Sequence, residues 1–493
     1  MGWLILFFTI LFTVLAWKRL DLATAFLIAV LPVYQIRFQI GFLPMTLLEA
    51  MILVLFAAWF VKSWRANELP LLLSFPRKRE SKKNVQRYPF WLEIILLLVI
   101  AFISAATAGF NSSALGILKA YFIEPAMFFI VFVNIFSARI ATRSSGSAPA
   151  HSAMSGKIPK NREKIFWALA ISALFVSAIA IYQRITGNLM PATWQNTGRV
   201  TGVFAYPNAV GLYLGPIMLI LIGRLFAALR NIKYLILNIF FSITIILSLL
   251  AIYFAKSEGA LAGVAAALFI FGLLYNKKSR WVIAGLAVLA AGGIAINSQA
   301  RDYAINKIML RDLDGQIRRQ IWVETWEMLA SNPKNFIFGA GLANYQSAVA
   351  PYHQDGIFVR DYNDLDWHRK TVFNAEYRAK VWQPVEIYLY PHSLFFNFWV
   401  ELGLAGVLLF IWIIGKFFVI GYKLYVKNED YSSIILGLIG AMIVIIVHGL
   451  VDVPYFKNDL AVLFWILVGI IGVYRIEFFP QINESSTNNT NKK

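Results

Sequence analysis

Five cations and one histidine in this chain have the chemistry needed to hold an anion and act beside it. Arg184, Arg199, Lys256, Arg318 and Arg319 stand between apolar runs, and His392 follows Tyr390-Pro391 where such a run begins. A guanidinium donates two parallel hydrogen bonds from a planar fork, which suits a phosphate or diphosphate. An imidazole beside a proline at a helix start can accept a proton from an attacking hydroxyl, or orient it. Structural alternatives compete: each cation can pair with a carboxylate of its own loop, and His392 can be a helix-end histidine bonded to a carbonyl. His448 and Asp452 form a second polar group at the end of a later apolar run. Pro454 breaks that helix and Lys457-Asn458-Asp459 completes the turn. Ionisable groups at membrane depth are costly, which makes them functional candidates, with a cap for the turn as the competing role. Asp312-Leu313-Asp314 and Asp364-Leu365-Asp366 each read Asp-x-Asp, a pattern able to hold a divalent cation but common by chance in a charged loop. No metal site is therefore expected. No Walker loop, Gly-x-Ser-x-Gly or His-Glu-x-x-His occurs, so ATP-driven pumping and zinc proteolysis have no support.

The elements that must position these groups are membrane spans. The chain has 493 residues, 59% of them hydrophobic, and a mean hydropathy of +0.65, whereas soluble domains average about 45–50% apolar. Apolar runs at about 3–17, 21–36, 46–62, 90–108, 119–136, 165–182, 206–225, 233–253, 259–275, 281–296, 393–415, 433–451 and 458–474 are of the length a spanning helix needs. The expected fold is an all-α integral membrane protein with about 12 or 13 transmembrane helices in one unit. The net charge of +19 follows from lysine and arginine collecting in every second loop, as cytoplasmic loops do, rather than from a nucleic-acid partner. Lys18 and Arg19, Lys62 to Arg87, Arg139 to Lys164, Arg224 to Lys233, Lys277 to Arg280, and Lys423 with Lys427 make up that series. The same alternation puts the N-terminus outside, the C-terminus inside, and the polar segment 297–392 outside. Arg184, Arg199, Lys256, Arg318, Arg319 and His392 then share the face that the charge rule leaves unexplained. There is no cysteine, hence no disulfide framework and no thiolate metal site. Gly2 to Trp17 lacks a basic leader and a small-residue cleavage site and reads as a retained first span.

Within 297–392, Ile317, Ile321, Trp322, Trp326 and Leu329 have helical spacing, which predicts a helix over Gln316 to Ala330 lying across the outer surface. Ser331-Asn332-Pro333 ends it. Gly339-Ala340-Gly341 follows as a glycine turn, able to offer backbone N–H groups to an anion or to serve as a plain tight turn. The basic run Ser74 to Ser81, with a lipid-headgroup role as one option, and the Ser-, Ala-, Gly- and Pro-rich stretch Ser144 to Lys160 read as exposed linkers. Residues 475–493 are expected to form a disordered cytoplasmic tail, polar and low in complexity from Asn483.

From about Asn196 to Tyr474 the chain resembles the O-antigen ligase and O-antigen polymerase superfamily of bacterial membrane glycosyltransferases. The likeness rests on four stretches in order. The first is Gly198-Arg199-Val200-Thr201-Gly202-Val203-Phe204 with Tyr206-Pro207-Asn208 and Gly211-Leu212-Tyr213-Leu214. The second is Lys256-Ser257-Glu258-Gly259. The third runs from Arg318 to Trp322, then to Pro333, Gly339-Ala340-Gly341 and Asn344-Tyr345. The fourth is His392-Ser393-Leu394 through Glu401-Leu402-Gly403 and Gly406. The resemblance implies N-terminal transmembrane helices over 1–195 and an O-antigen ligase-like membrane domain over 196–474. It implies a multi-pass protein of the bacterial inner membrane whose active site faces the periplasm. The donor would be a glycan on polyprenyl diphosphate and the acceptor a hydroxyl of a lipid- or glycan-linked molecule. Membrane lipids would be the remaining partners, with no nucleotide sugar, cofactor or metal. His392, Arg199 and Arg318 become the catalytic candidates, with Arg199 on the diphosphate and His392 near the acceptor. Lys256, Asn208, Arg184, Arg319, Tyr345, His448, Asp452 and Lys457 become substrate-binding candidates. One position departs from the pattern: the usual Ser-Arg-Gly is here Ser257-Glu258-Gly259, and Lys256 is expected to stand in for the missing cation. A transporter or flippase for a lipid-linked glycan is the alternative. Such proteins show internal repeats and broken, charged helices at mid-membrane, neither of which is found here.

Overall fold

The computed structural model describes residues 2–40, 43–66, 89–137, 159–229 and 235–478. The basic run Ser74 to Ser81, residues 479–493, and Ser144–Lys160 except for its last two residues lie outside the described residues. Residues 475–478 of the expected disordered tail are instead the end of the last helix, held there by burial of Ile476 and the ion pair of Glu477 with Arg162. All the apolar runs form helices. In chain order they are α1 (Gly2–Lys18), α2 (Leu20–Ala29), α3 (Leu47–Arg65), α4 (Trp91–Thr107), α5 (Ser112–Phe136), α6 (Lys160–Thr186), α7 (Pro207–Ala228), α8 (Leu235–Phe254), α9 (Glu258–Tyr275) and α10 (Lys277–Ile296). The polar segment adds α11 (Ser298–Ile308) and α12 (Leu313–Ala330), and the last three spans are α13 (Leu394–Lys427), α14 (Ser432–Gly449) and α15 (Asn458–Phe478). Ten helices among the described residues are long and apolar enough to cross a membrane, and three apolar ones, α1, α2 and α4, are shorter. This is an all-α multi-pass membrane protein. The expected run at 21–36 stops short because Pro32 cannot continue a helix. Its ten helical residues reach about 15 Å, half the hydrocarbon thickness.

Ion pairs gather the basic loops at one end of the bundle. Arg162 pairs with Glu477, Lys164 with Asp21, and Arg224 with Glu163 at 2.5 Å. Lys427 donates to the carbonyl of Phe478 at 3.1 Å. At the centre α7 crosses α14 at van der Waals distance. A Cβ on Gly223 would fall 2.6 Å from the Ser433 carbonyl oxygen and 2.8 Å from the Gly437 Cα. Only paired glycines let two backbones approach this closely. Because α7 starts with Pro207-Asn208 and His448 lies in the last turn of α14, this crossing helps set how those residues face each other.

The polar segment 297–392 is ordered and docks on the end opposite the basic loops. Helix α12 matches the expected helix, beginning three residues earlier. Its buried face differs: Ile321, Glu324, Thr325, Met328 and Leu329 turn inward, while Trp326 is 46% exposed. A buried carboxylate is tolerable because Glu324 accepts from His353 at 3.1 Å, from the Gln354 N–H at 2.9 Å and from Gln320 at 2.9 Å. A short antiparallel pair, Gly356–Phe358 with Trp382–Pro384, closes the outermost part. The glycine turn has a structural partner. Helix α13 leaves helical geometry at Gly403 (φ 74°, ψ −176°), which frees backbone groups for the loop. Ala340 N–H donates to the freed Val400 carbonyl at 2.8 Å, and Ala343 N–H donates to the side-chain carboxylate of Glu401 at 2.8 Å. A Cβ on Gly403 would lie 2.3 Å from the Ile337 carbonyl oxygen. The turn Gly339-Ala340-Gly341 is thus the plug that seats the polar segment in the kink.

Candidate active site

A cavity of about 460 Å³ lies between the docked segment and the ends of α7, α9 and α14. Arg199, Asn208, Lys256, Arg318, His448 and Asp452 all line it. They come from five separate stretches, so the fold assembles what the sequence scatters.

Arg199 precedes α7 and is held on three sides. Its Nε donates to the Ala255 carbonyl at 3.0 Å and an Nη to Asn208 Oδ1 at 3.0 Å, with the Lys256 carbonyl at 3.5 Å. The guanidinium also stacks 5.5 Å from the Trp194 ring centre. Burial pulls its pKa down, partly opposed by the charges of Asp314 and Glu258, but an arginine stays protonated. Asn208 passes the contact on, donating from Nδ2 to Asp452 Oδ2 at 3.1 Å. Asp452 also accepts the Val453 N–H at 2.9 Å. Arg199, Asn208 and Asp452 therefore form one polar chain along the cavity wall.

Lys256 adopts φ +50° and donates to the Thr197 carbonyl at 3.2 Å. Arg318 enters from α12 with a buried Nε that has no hydrogen-bond partner. One turn further on, Trp322 lies on the same face of α12 and donates its indole N–H to the Pro391 carbonyl at 3.0 Å. That bond fastens the residue before His392 to the helix carrying Arg318.

His392 lies beside the cavity rather than in its lining. It too is left-handed, at φ +47°, a conformation costly for a side chain of this size and found mainly where the surroundings enforce it. The rings of Tyr388 and Tyr390 meet it edge-on at 5.0 and 5.2 Å, and its Nδ1 is buried without a partner. Burial lowers the imidazole pKa. Asp452 and Asp314 oppose that shift and Arg318 adds to it. The ring is accordingly neutral at neutral pH.

Four candidates lie elsewhere. Arg184 stacks on Phe254, 5.5 Å from its centre. Arg319 is exposed on the other side of α12. Tyr345 is buried, sharing a 2.8 Å hydrogen bond with Thr325 inside the small core between the polar segment and α13. Lys457 lies behind Asp452, with its ammonium 4.2 Å from the Phe204 ring centre and 3.6 Å from Asp459. Both Asp-x-Asp pairs hold lysines, Asp312 with Lys307 at 2.7 Å and Asp364 with Lys370 at 2.8 Å. Among the described residues no three His, Asp or Glu side chains are grouped to hold a metal ion.

Sequence reasoning missed Lys307. It lines the cavity and binds Glu258 at 2.6 Å. Burial acts to lower its pKa, but the bonds to Asp312 and Glu258 outweigh that and raise it. Its sole local signal was a lone lysine five residues ahead of an aspartate.

Residues 243–411 match the O-antigen ligase family model. The chain carries an O-antigen ligase domain. The match covers 169 of the 493 residues and contains Lys256, Arg318 and His392. Arg199 and Asn208 precede the matched O-antigen ligase domain and His448 and Asp452 follow it, yet all four line the cavity at its surface. No curated protein matches the chain. The domain gives the protein an O-antigen ligase-like function in general, in a multi-pass membrane setting.

Proposed function

We propose that the protein is a glycosyltransferase that moves a glycan from polyprenyl diphosphate to an acceptor hydroxyl, and that the cavity holds the diphosphate. The observation that carries this reading is the state of the cavity's cations. Arg199, Lys256 and Arg318 converge on one space, and none of them makes an ion pair among the described residues. Three positive charges held by carbonyls, an amide and a ring are ready for a dianionic group, and in a partly buried site their attraction is little screened. The apolar part of the lining, Ala262, Val447, Leu450, Val451 and Ile308, suits the first isoprene units beside the phosphates.

In the reaction the acceptor oxygen bonds to the anomeric carbon as the bond from that carbon to the phosphate oxygen breaks. The electron pair leaves with the diphosphate, where the guanidinium groups stabilise it. The hydroxyl proton passes to the neutral imidazole of His392. The basic loops gathered at the opposite end of the bundle favour the extracytoplasmic face of the bacterial inner membrane for this chemistry. The acceptor is a lipid- or glycan-linked hydroxyl.

The test is transfer by purified protein in lipid, with a lipid-diphosphate glycan as donor and product followed by mass spectrometry. Arg199→Ala and His392→Ala are each expected to lose at least about a hundredfold in rate, the scale of losing a positioned charge or proton acceptor. Folded, membrane-inserted variants that retain full activity would refute the assignment. Movement of the intact donor across the bilayer without glycan transfer would make the protein a transporter.

A further inference from the structure

Glu258 is the first residue of α9, at a helix N-terminus where a carboxylate is favoured. It is held twice from α11. Lys307 Nζ lies 2.6 Å from one carboxylate oxygen, and the Tyr303 hydroxyl donates to the other at 2.9 Å. The same ammonium reaches Asp312 at 2.7 Å, at the N-cap position of α12. One lysine thus ties a membrane span to both sides of the corner between α11 and α12. The corner is tightly drawn, with Leu310 at φ +52° and Arg311 N–H donating to Asn306 at 2.7 Å. Glu258, Lys307 and Asp312 all line the cavity, and Arg318 follows six residues after Asp312 on α12.

Helix α10 packs on α9 with Ile283 against Gly272, but packing does little to hold α11 beyond it. Neither α10 nor α11 contains a buried residue, so apolar burial cannot set where α11 lies against the end of α9. Polar contacts from Glu258 do that. The Lys307 charge is matched by two carboxylates, unlike those of Arg199, Lys256 and Arg318, and so is not free for a diphosphate. We propose that Glu258 and Lys307 are positioning residues: they strap the α11–α12 corner to α9 and so set Arg318 at the cavity wall. Where Ser-Arg-Gly would place a cation directly at this position, this chain places an anion that fixes a neighbouring segment. The inference rests on the reading of the cavity as the diphosphate site.

The chain has no cysteine, which allows a clean test. Glu258→Gln, Lys307→Met, their combination, and a Glu258→Cys/Lys307→Cys variant joined by a short bifunctional thiol reagent are compared with the unaltered protein. Affinity for geranylgeranyl diphosphate in lipid nanodiscs is one readout, and amide hydrogen exchange over 298–318 is the other. Each single change should weaken binding by a similar factor, about three- to tenfold, as for a partly exposed ion pair. The combination should be no worse than either alone. Exchange over 298–318 should rise in all three, and the thiol bridge should restore both readouts. A Lys307→Met loss far exceeding that of Glu258→Gln, with no rescue by the bridge, would overturn the strap and make Lys307 a ligand of the diphosphate. Unchanged exchange in the single variants would overturn it as well. If the unaltered protein fails to bind the diphosphate, the donor-site reading falls, while the exchange readout still decides the strap.

Discussion

Replacing Asn208 by Asp changes one atom's chemistry at the middle of the polar chain. The amide now accepts from Arg199 at 3.0 Å and donates to Asp452 at 3.1 Å. A carboxylate of the same shape keeps the first bond and loses the second. Two carboxylates about 3 Å apart repel by about 5 kcal/mol at an effective dielectric of about 20, and the adjacent guanidinium attracts the new one by a similar amount. Those terms largely cancel, leaving the lost charge-assisted hydrogen bond, about 1.5–3 kcal/mol. If Asp452 must be held in place for transfer, kcat/KM should fall by about 10- to 150-fold. A proton shared between the two carboxyl groups would replace the missing donor, so the variant's rate relative to the unaltered protein at the same pH should recover in part as the pH is lowered toward 5. Asn208→Ala removes both bonds without adding a charge and should lose a similar factor with no acid recovery. The assay is initial-rate glycan transfer by purified protein across a pH series. Unchanged activity in Asn208→Asp, or the same pH profile in both variants, would refute the polar chain as a working part of the site.

Four further outcomes are expected. Arg318→Ala should reduce kcat/KM by about 10- to 150-fold, the range of a charged hydrogen bond. Arg319→Ala, altering an exposed neighbour outside the cavity, should stay within about twofold in the same assay, since exposed ion contacts count for little. Burial holds the His392 pKa below its ordinary 6.5; the base is therefore already neutral at pH 7, and kcat should stay level on acidification from there and fall only below pH 6.5, as the imidazole gains its proton. An acid limb centred at or above pH 7 would contradict the buried placement. Gly403→Ala, at φ +74° with the Ile337 carbonyl 2.3 Å from the added Cβ, should destabilise by at least about 1–3 kcal/mol and lower Tm in detergent. Gly285→Ala, which meets nothing within 4 Å, is the control and should not lower it.

Much of the fold was legible in advance because a bilayer allows few solutions. With no water to satisfy the backbone, an apolar run of sufficient length must be a helix, and all the runs are. The helix over 313–330 was legible from its spacing, but not its buried face. Glu324 points inward because His353 and Gln354, about thirty residues later, satisfy it, and no local pattern reports so distant a partner. The glycine turn could be read as a turn, but its seat in the α13 kink could not. Arg199, Lys256 and Arg318 could be picked out from residue type and alternation of charge. Arg184 and Arg319 satisfied the same criteria, and Tyr345 and Lys457 were added as substrate-binding candidates, yet all four lie outside the cavity.

Sequence alone therefore determined what depends on composition and short-range order: a multi-pass helical membrane protein, a long polar segment on one face, and a set of cations and histidines available there. Tertiary structure decided which of those cations lack an ion-pair partner among the described residues. Lys307 is neutralised by Glu258 and Asp312, whereas Arg199 is held by carbonyls, Asn208 and a ring. The physical reason is that pairing is settled at about 3 Å, between groups that chain order can separate by tens or hundreds of residues. Only the packed spans, α7 against α14 and the polar segment against α13, bring those groups within that distance.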